Sequence, residues 1–308
     1  DISLSTRITL LALGLVVAAG LLWTWDENQR LRDAHLEERE SVLDAALHVE
    51  RERLSLQVEA LQRDVVFLSH TPPVGGIVRA IYNGGIDPRE NNARQVWERR
   101  LQEIFSAYLN AHPEYFQASY IGLADGGREL VRVERRNGHV AVVPKPDLER
   151  KGAHDYFRSG LAVAADRVHL SGFELDQEAR GTDVPRRQTL RAVTPVFDTQ
   201  GRRFGMLVLN MDVAALLASV RKGAPAGIQP YVADRFGRYL LHPDAARAFA
   251  FDTGAAPGDI REDFPVLHGK FEANAGTCFP LRESPDGKGG FIAAERVAFD
   301  RDDPSRFL

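Results

Sequence analysis

The sequence lacks the features on which most enzyme classes depend. It has one cysteine in 308 residues, so no intrachain disulfide can form and any thiolate chemistry would rest on Cys278 alone. It contains no GxSxG, GxxxxGK[ST] or GxGxxG motif. Its nine histidines include no pair four residues apart and no HExxH, so a metal site would need distant histidines to converge. We therefore predict no catalytic residue, no cofactor and no metal site.

The charge balance disfavours a nucleic-acid partner. The formal net charge is −4, and arginines alternate with acidic residues almost everywhere. Such a pattern is typical of mixed, solvated surfaces, whereas nucleic-acid binding needs a continuous basic face.

One long uncharged run lies near the N-terminus. Residues 8–25, ITLLALGLVVAAGLLWTW, carry no charge and would extend about 27 Å as a helix, close to the hydrocarbon thickness of a bilayer. Arg7 precedes the run, while Trp23 and Trp25 stand where aromatic side chains prefer the headgroup level. A transmembrane helix is predicted, with a cytoplasmic N-terminus and the residues after 25 outside. The alternative is a cleaved signal peptide, because VVAAG offers small residues, although the apolar run continues past them.

Residues 26–70 have the pattern of one long helix without proline or glycine. Its length would be about 65 Å. Apolar residues recur mostly at spacings of three and four, which indicates one apolar helix face: Leu43, Leu47, Leu54, Val58, Leu61, Val65 and Leu68. This stripe is either the seam of a dimeric signalling stalk or core packing within its own domain. Core packing is favoured for most of its length because Glu50 interrupts the seam.

The rest of the chain predicts an α+β fold with an antiparallel sheet. HTPPVGG, residues 70–76, ends the long helix, and a second helix is expected from Asn92 to His112. Strand patterns then follow, joined by the turn sequences ADGG, RNG and DTQG: FQASYIGL, RELVRVERR, HVAVVP, RVHLSGF, QTLRAVTPVFD and RRFGMLVLNMD. This order excludes a doubly wound nucleotide fold.

A repeat suggests two sheet modules. YIGLADGGRELV, residues 120–131, is echoed by YVADRFGRYLLH, residues 231–242. Between them a helix is expected over residues 213–223, with Asp212 as its N-cap and Gly223 at its end. The predicted divisions are a cytoplasmic start and transmembrane helix (1–25), a stalk helix (26–70), a membrane-distal module with the connecting helix (71–223) and a C-terminally truncated membrane-proximal module (224–308).

Together these features resemble the double Cache (periplasmic, PAS-like) sensor domains of bacterial transmembrane receptors. The resemblance rests on the anchor, the long helix, the two sheet modules and the segments RAVTPVFDTQGRRFGMLVLNMD and YLLHPD, and it covers nearly all of residues 26–308. It implies a sensor outside the cytoplasmic membrane that binds a small molecule mainly in the distal module. It also implies a homodimer through the stalk and a histidine kinase output, or alternatively a diguanylate cyclase or methyl-accepting chemoreceptor output. An anchored periplasmic hydrolase or adhesin is the hypothesis from another class.

Two arginines are candidates for ligand binding. Side chains alternate between faces along a strand, so Arg132 points away from Val131, Val133 and Arg135. The resemblance places a ligand near RKGAHDYFRSGL, and a carboxylate ligand would require a planar guanidinium there. Arg132 and Arg191 are therefore predicted to bind it, the alternative being that each is solvated or pairs with neighbouring acids such as Glu134. Arg135 and Arg136, beside an Asn-Gly turn, are expected at the surface.

The remaining candidates come from the resemblance. Tyr156 and Phe157 stand where the amino-acid-binding branch has Trp-Tyr, while His154 replaces that branch's arginine, which puts an amino-acid ligand in doubt. The two aromatic residues form either a lid or core. Asp212 matches an aspartate that holds a ligand ammonium, or it caps the following helix. Tyr120 either lines the pocket or buries its ring with its hydroxyl bonded to backbone.

Overall fold

The structure is a computed structural model that describes residues 4–176, 186–254, 258–267, 277–281 and 290–297. Within these ranges the side chains of 4–19, 32–36, 277–281, 290 and 291 lie outside the description. The helices are α1 (Leu4–Ser69), α2 (Pro72–Tyr82), α3 (Arg94–Ala111), the short turn α4 (Ala124–Gly127), α5 (Asp155–Gly160), α6 (Ala214–Gly223), α7 (Ala250–Thr253) and α8 (Ile260–Asp263). The strands are β1 (Tyr115–Gly122), β2 (Glu129–Arg136), β3 (His139–Val142), β4 (His169–Leu170), β5 (Glu174–Leu175), β6 (Gln188–Phe197), β7 (Arg203–Asp212), β8 (Val232–Ala233), β9 (Tyr239–Leu241), β10 (Thr277–Leu281) and β11 (Gly290–Ala294).

The long helix α1 has 66 residues and includes the predicted stalk up to Ser69. Its C-terminal part is core, because these side chains are at most 5% exposed: Leu54, Val58, Leu61, Val65 and Leu68. The helix packs on β6 and β7 and also contacts α6, β10 and β11. Two arginines mark this course, since Arg53 donates to the carbonyl of Ser219 and Arg51 pairs with Glu295 at 2.6 Å. Thus α1 contacts both the sheet that contains β6 and β7 and the two strands β10 and β11 near the C-terminus.

The predicted membrane span falls mainly on residues 8–19, whose side chains lie outside the described part of the structure. Among the residues that are described, no helix combines the length and the apolar character needed to cross a membrane.

Helix α2 is a difference from the sequence prediction. The HTPPVGG segment does end α1, but a new helix begins at once, with Pro72 and Pro73 in its first turn. Proline is tolerated there because the first backbone nitrogens of a helix have no intrahelical acceptor. The next helix, α3, lies within the predicted Asn92–His112 segment.

The centre of the fold is a seven-stranded antiparallel sheet with the order β3-β2-β1-β7-β6-β4, in which β5 also pairs with β6. The predicted strands are all present, and the α+β class with an antiparallel sheet is confirmed. One face packs on α1, α2 and α3 through alternate residues of the strands: Ala118, Tyr120, Val131, Val133, Leu190, Ala192, Leu207 and Leu209. The residues between them therefore point their side chains to the other face of the sheet.

Two turns share one construction, although only the second, DRFGR, lies in the predicted repeat, whose other copy contains ADGG. In DTQGR, Asp198 accepts hydrogen bonds from the backbone nitrogens of Gln200 and Arg202, and the Arg202 side chain donates back to it. In DRFGR the Asp234 carboxylate makes the same three contacts, with Phe236 and Arg238. The second turn joins β8 to β9, where the repeat predicts a hairpin. In the described residues after 223, β8-β9 and β10-β11 are separate two-stranded ladders, so two complete modules remain a prediction.

Candidate functional site

The sheet face opposite the helices carries buried polar side chains from four strands. In β1, Ser119 lies opposite Arg132 of β2. Two residues away Gln117 lies opposite Asn210 of β7, which in turn lies opposite Arg191 of β6. Paired residues in an antiparallel ladder share a face, so these five belong together, and all are buried. They are called the polar face below: Gln117, Ser119, Arg132, Arg191 and Asn210.

Arg132 is held by carboxylates from its own strand and from the segment before α5. It is 5% exposed, and its Nη1 donates to Glu129 Oε2 at 3.1 Å. Glu134 and Glu149 lie 3.5 and 3.8 Å from the guanidinium. Lys151 Nζ lies 2.7 Å from Glu149, although Lys151 is fully buried. The predicted alternative, pairing with Glu134 and neighbouring acids, therefore describes the contacts of Arg132.

Arg191 has a similar environment at the other side of the face. It is 3% exposed, donates from Nη2 to Asp176 Oδ1 at 2.9 Å and is bonded through Nη1 to Glu174. Its Cζ lies 5.4 Å from the centre of the Tyr156 ring, within reach of a cation–π interaction. On that ring, His154 stacks at 5.4 Å. The structure thus brings together Arg191, Tyr156 and His154, the residue that stands in place of the family's arginine.

Phe157 lies beside Tyr156 but has a packing role. Both rings belong to a small apolar cluster with Ile121 and Val193 on the same side of the sheet. The Phe157 ring presses on Gly127, where an added Cβ would lie 2.8 Å from its edge. A residue without a side chain is needed there, and φ at Gly127 is +76°, which also favours glycine. These contacts agree with the alternative in which Phe157 is part of the core.

Tyr120 is not on the polar face. Strand alternation puts its ring on the helix side, where it is fully buried and packs near Phe204. Burial raises the pKa of its hydroxyl well above the usual value. Among the described residues the hydroxyl has no hydrogen-bond partner, so the backbone bond of the alternative is absent too. Tyr120 therefore does not line the polar face, because alternate residues of β1 face opposite sides of the sheet.

Asp212 was predicted to bind the ligand or to cap a helix, and Arg135 was predicted to lie at the surface. Asp212 lies opposite Thr189 at the end of β7, and its carboxylate accepts a hydrogen bond from the Ala214 backbone nitrogen at 3.0 Å. That contact lies just before α6, but the N-cap of the helix is Val213 and has no side-chain capping bond, so Asp212 precedes the observed cap position by one residue. Arg135 is half-buried rather than solvated, since it faces α3 and donates to the carbonyl of Leu109. Arg136 is exposed, as predicted.

Asn210 is the functional candidate that sequence reasoning missed. It is 1% exposed in a central strand, and among the described residues its Oδ1 has no hydrogen-bond partner. The signal was present in LVLNMD, where one amide interrupts an apolar strand. The sequence analysis also missed Gln117 and Ser119. The Gln117 side chain donates a hydrogen bond to the Ser119 hydroxyl, which in turn donates to Glu129.

Similar proteins identify the class to which this architecture belongs. The sequence model of the family described as "Bacterial histidine kinase, sensor domain" matches residues 89–257, more than half of the chain. A search of curated proteins finds no match. The chain belongs to the bacterial histidine kinase sensor domain family, a family of extracytoplasmic domains of membrane receptors.

Solved structures share the fold at low identity. A domain of a sensory box/GGDEF family protein from Vibrio parahaemolyticus superposes with a TM-score of 0.62 and 17% identity, over 84% of this chain and 92% of the other. The extracellular domain of the histidine kinase vpHK1S-Z8 gives 0.62 and 17%, over 84% and 88%. The ligand-binding domain of the Pseudomonas aeruginosa amino acid chemoreceptor PctC, in complex with GABA, gives 0.51 and 16%, over 87% and 96%. The resemblance to Cache-type periplasmic sensors is confirmed, and the chain is a sensor domain of this type.

Proposed function

We propose that the chain is the small-molecule sensor of a receptor in the bacterial cytoplasmic membrane, with the residues after 25 in the periplasm and a histidine kinase as output. A diguanylate cyclase or a methyl-accepting chemoreceptor is the second candidate for the output. It has an observation in its favour, because the structural neighbours include a GGDEF family protein and chemoreceptors. A phosphoacceptor helix after a second membrane span in the complete gene would decide for the kinase.

The observation that carries the proposal is the polar face. Two buried guanidinium groups and two buried side-chain amides lie on one side of a sheet whose other side is packed core. Such a group of convergent polar side chains beside an aromatic wall is typical of ligand sites. We assign the ligand contacts to Arg132, Arg191 and Tyr156 within the distal division 71–223, with Phe157 as packing support and Asp212 at the edge.

Anchoring and dimerisation are proposed from α1. Four large apolar side chains near the end of the predicted span are each at least 64% exposed: Leu21, Leu22, Trp23 and Trp25. Farther along, five exposed apolar residues lie on the face opposite the buried stripe: Leu31, Val42, Val49, Leu56 and Phe67. Their spacings of 11, 7, 7 and 11 residues bring each to nearly the same angle on a helix of 3.6 residues per turn. We assign the homodimer contact to this second stripe, with the 224–308 division beside it as the proximal module.

Signalling then requires that the ligand bind two conformations of the sensor with different affinities. The proposed change is a shift of α1 against its dimer partner when the polar face is occupied, because α1 packs on β6 and β7, which carry Arg191 and Asn210.

A thermal-shift screen of the 308-residue chain against organic acids, amines and amino acids tests the sensor function. A compound that raises the melting temperature is assigned to the polar face if its Kd, from calorimetry, changes more than tenfold in Arg132→Ala/Arg191→Ala. For an acid the change is a loss, because both guanidinium groups are removed. The control is Arg136→Ala/Arg158→Ala, which removes the same charge from two exposed positions. A screen without any stabilising compound, or a hit equally affected by both variants, would contradict the proposal.

A further inference from the structure

His242 lies in a cluster of charged and aromatic side chains outside the main sheet. It directly follows β9 and is 7% exposed. The centre of its ring lies 4.7 Å from that of Tyr239 and 5.4 Å from that of Tyr231, and both contacts are edge-to-face. The two tyrosines hold the imidazole in place, so the polar atoms beside its two nitrogens determine which protonation state the site accepts.

Nδ1 of His242 has a partner in either protonation state. It lies 3.0 Å from the backbone nitrogen of Asp244 and 3.2 Å from the carbonyl oxygen of the same residue. An unprotonated Nδ1 can accept from the nitrogen, and a protonated Nδ1 can donate to the oxygen. A proton on Nδ1 is therefore compatible with the surroundings.

Nε2 of His242 has a partner in only one protonation state. The polar atom beside it is Nη1 of Arg247, at 3.2 Å. A guanidinium can only donate, so Nε2 is the unprotonated acceptor of this contact. An imidazolium has an N–H on both nitrogens, which would set a donor against a donor and a positive charge against another. The contact with Arg247 and a charged His242 therefore exclude each other.

Arg247 also connects two segments of the chain. Its Nη2 lies 2.7 Å from Oδ2 of Asp263, the last residue of α8, and the same oxygen accepts a hydrogen bond of 2.6 Å from the Tyr239 hydroxyl of β9. The guanidinium lies over the Tyr239 ring, with Cζ 5.1 Å from the ring centre. Without Arg247, the Asp263 carboxylate would keep only the tyrosine hydroxyl among the described residues. The attachment of α8 to β9 therefore depends on the position of Arg247.

The titratable and charged groups around the imidazole come from every described element packed on it: Tyr231, Tyr239, Asp244, Arg247 and Asp263. Burial is the largest cause of the lowered pKa of His242, and the charge of Arg247 acts in the same direction, whereas Asp244 and Asp263 raise this pKa. On another side, Arg221 of α6 donates from Nη2 to the backbone carbonyl of His242 at 2.8 Å. Since α6 contacts α1, the cluster is two contacts away from the long helix.

We propose that His242, Arg247 and Asp263 form a proton switch, in which a proton on Nε2 expels the Arg247 guanidinium towards solvent and releases α8 from β9. The Arg247 side chain has room for this movement, because it is 32% exposed. Through Arg221 and α6 the proton switch gives the receptor a second input, the acidity outside the membrane. Only this last step rests on the proposed function; the release itself does not depend on any ligand.

The proton switch works in a defined pH range. The released imidazole has an ordinary pKa of about 6.5, and the pKa of the closed form is lower. The closed form is therefore fully favoured above about pH 6.5. On acidification the ratio of released to closed protein rises by at most about tenfold per pH unit, until the pKa of the closed form is passed.

Hydrogen exchange of residues 260–264 in the 308-residue chain measures the release of α8. Rates at pH 7.5 and pH 5.5 are compared after correction for the chemical exchange rate. In the wild type, exchange should be about three to ten times faster at pH 5.5. In His242→Gln, which keeps an acceptor for Arg247 but cannot be protonated, this acceleration should be absent. The control His70→Gln removes an exposed histidine that pairs with Asp166 and should behave as the wild type. An equal acceleration in His242→Gln and in the wild type would overturn the proposal.

A second variant displaces Arg247 without a proton. A Cβ on Gly258 would lie 2.4 Å from Nη2 of Arg247, the end of a flexible side chain, so Gly258→Ala should move the guanidinium at neutral pH. Exchange of residues 260–264 at pH 7.5 should then approach that of the wild type at pH 5.5. The pKa of His242, measured by NMR, should rise because the opposing cation has moved away.

Gly172→Ala is the matched control for Gly258→Ala, because no atom lies within 4 Å of its added Cβ. Thermal unfolding checks that each variant is folded. If Gly258→Ala leaves both the exchange at pH 7.5 and the pKa of His242 unchanged, Arg247 does not hold α8 and the proton switch is wrong.

The proton switch and the proposed function can fail separately. If exchange in α8 responds to pH through His242 while the compound screen yields no hit, the proton switch stands and the small-molecule sensor is wrong. If the screen yields a ligand of the polar face while exchange in α8 is the same at both pH values, the sensor stands and the proton switch is wrong.

Discussion

Asp252 of α7 accepts a hydrogen bond of 2.7 Å from the backbone nitrogen of Leu175 in β5, across 77 residues of sequence. Leu175 stands between Glu174 and Asp176, the two carboxylates that hold Arg191. One contact therefore joins the edge of the polar face to the segment that follows the main sheet. A ligand that loosens the two carboxylates from Arg191 would act on this contact directly.

Replacing Asp252 with Ala should destabilise the protein and loosen β5. The Leu175 N–H would lose its acceptor in a nearly buried position, which costs about 1–3 kcal/mol of unfolding free energy. Asp252→Asn is the control, because its amide oxygen still accepts. Urea unfolding measures the cost, and hydrogen exchange of residues 171–176 should be faster in the Ala variant alone. Equal exchange in both variants would show that the contact does not hold β5.

Gly76 offers a test in which packing opposes helix propensity. Ala in place of Gly inside a helix is ordinarily favourable by about 1 kcal/mol. At Gly76, however, a Cβ would lie 2.3 Å from Cδ2 of the Trp97 indole, so α2 and α3 would have to move apart. We expect Gly76→Ala to lower the unfolding free energy by about 1–3 kcal/mol. Gly75→Ala is the matched control, because its Cβ meets only the end of the flexible Arg79 side chain at 3.3 Å. Stabilisation by both substitutions would contradict this account.

The sequence predicted the elements of the fold far better than their contacts. Strand patterns such as QTLRAVTPVFD located β6 because alternation and turn residues are local signals. Helix α2 was missed because Pro72, Pro73 and two glycines indicate a break, whereas the packing of Gly76 on Trp97 that fixes the helix is not local.

In the candidate site, too, local patterns were predicted better than contacts between distant residues. Alternation was enough to separate Arg132 from Val131 and Val133, and the structure places Arg132 and Arg191 on one face. Tyr120 was named as a pocket candidate although the structure places it on the helix side, because deciding its face needs the register of β1 against two neighbours. Glu134, in the same strand as Arg132, was named from the sequence as a pairing partner. Glu149, Glu174 and Asp176 lie 15 or more residues from the arginine that each contacts, and no local pattern joins residues so far apart.

His242 should make stability depend on pH below about 7. Burial lowers the pKa of its imidazole, with a further contribution from nearby Arg247, although Asp244 and Asp263 oppose this. The unfolded chain, with an ordinary histidine pKa of about 6.5, therefore binds the proton before the folded protein does. Stability is thus fully present above about pH 6.5 and falls on acidification until the folded pKa is passed, by at most about 1.4 kcal/mol per pH unit.

The measurement for His242 is the unfolding free energy of the wild type and of His242→Gln between pH 8 and pH 5. Glutamine keeps an acceptor near Arg247 Nη1, which lies 3.2 Å from His242 Nε2, but it does not titrate. The difference between the two proteins should shrink as the pH falls, because only the wild type loses stability through this group. A constant difference over the whole range would show that the imidazole does not contribute.

The exposed stripe of α1 can be tested as the dimer contact. Val49→Asp/Leu56→Asp places two charges in the middle of the stripe, at side chains that are 54% and 57% exposed and that the folded monomer does not bury. In a dimer those charges would be desolvated without partners, so dimerisation should weaken at least tenfold while the unfolding of the monomer changes little. The control His48→Asp/Gln57→Asp adds the same charge at exposed positions of the same helix turns but off the stripe. Sedimentation velocity measures the dimerisation of the stripe variant and of its control. If the stripe variant and its control dimerise alike, the contact lies elsewhere on the sensor, and the proposed shift of one α1 against another loses its basis.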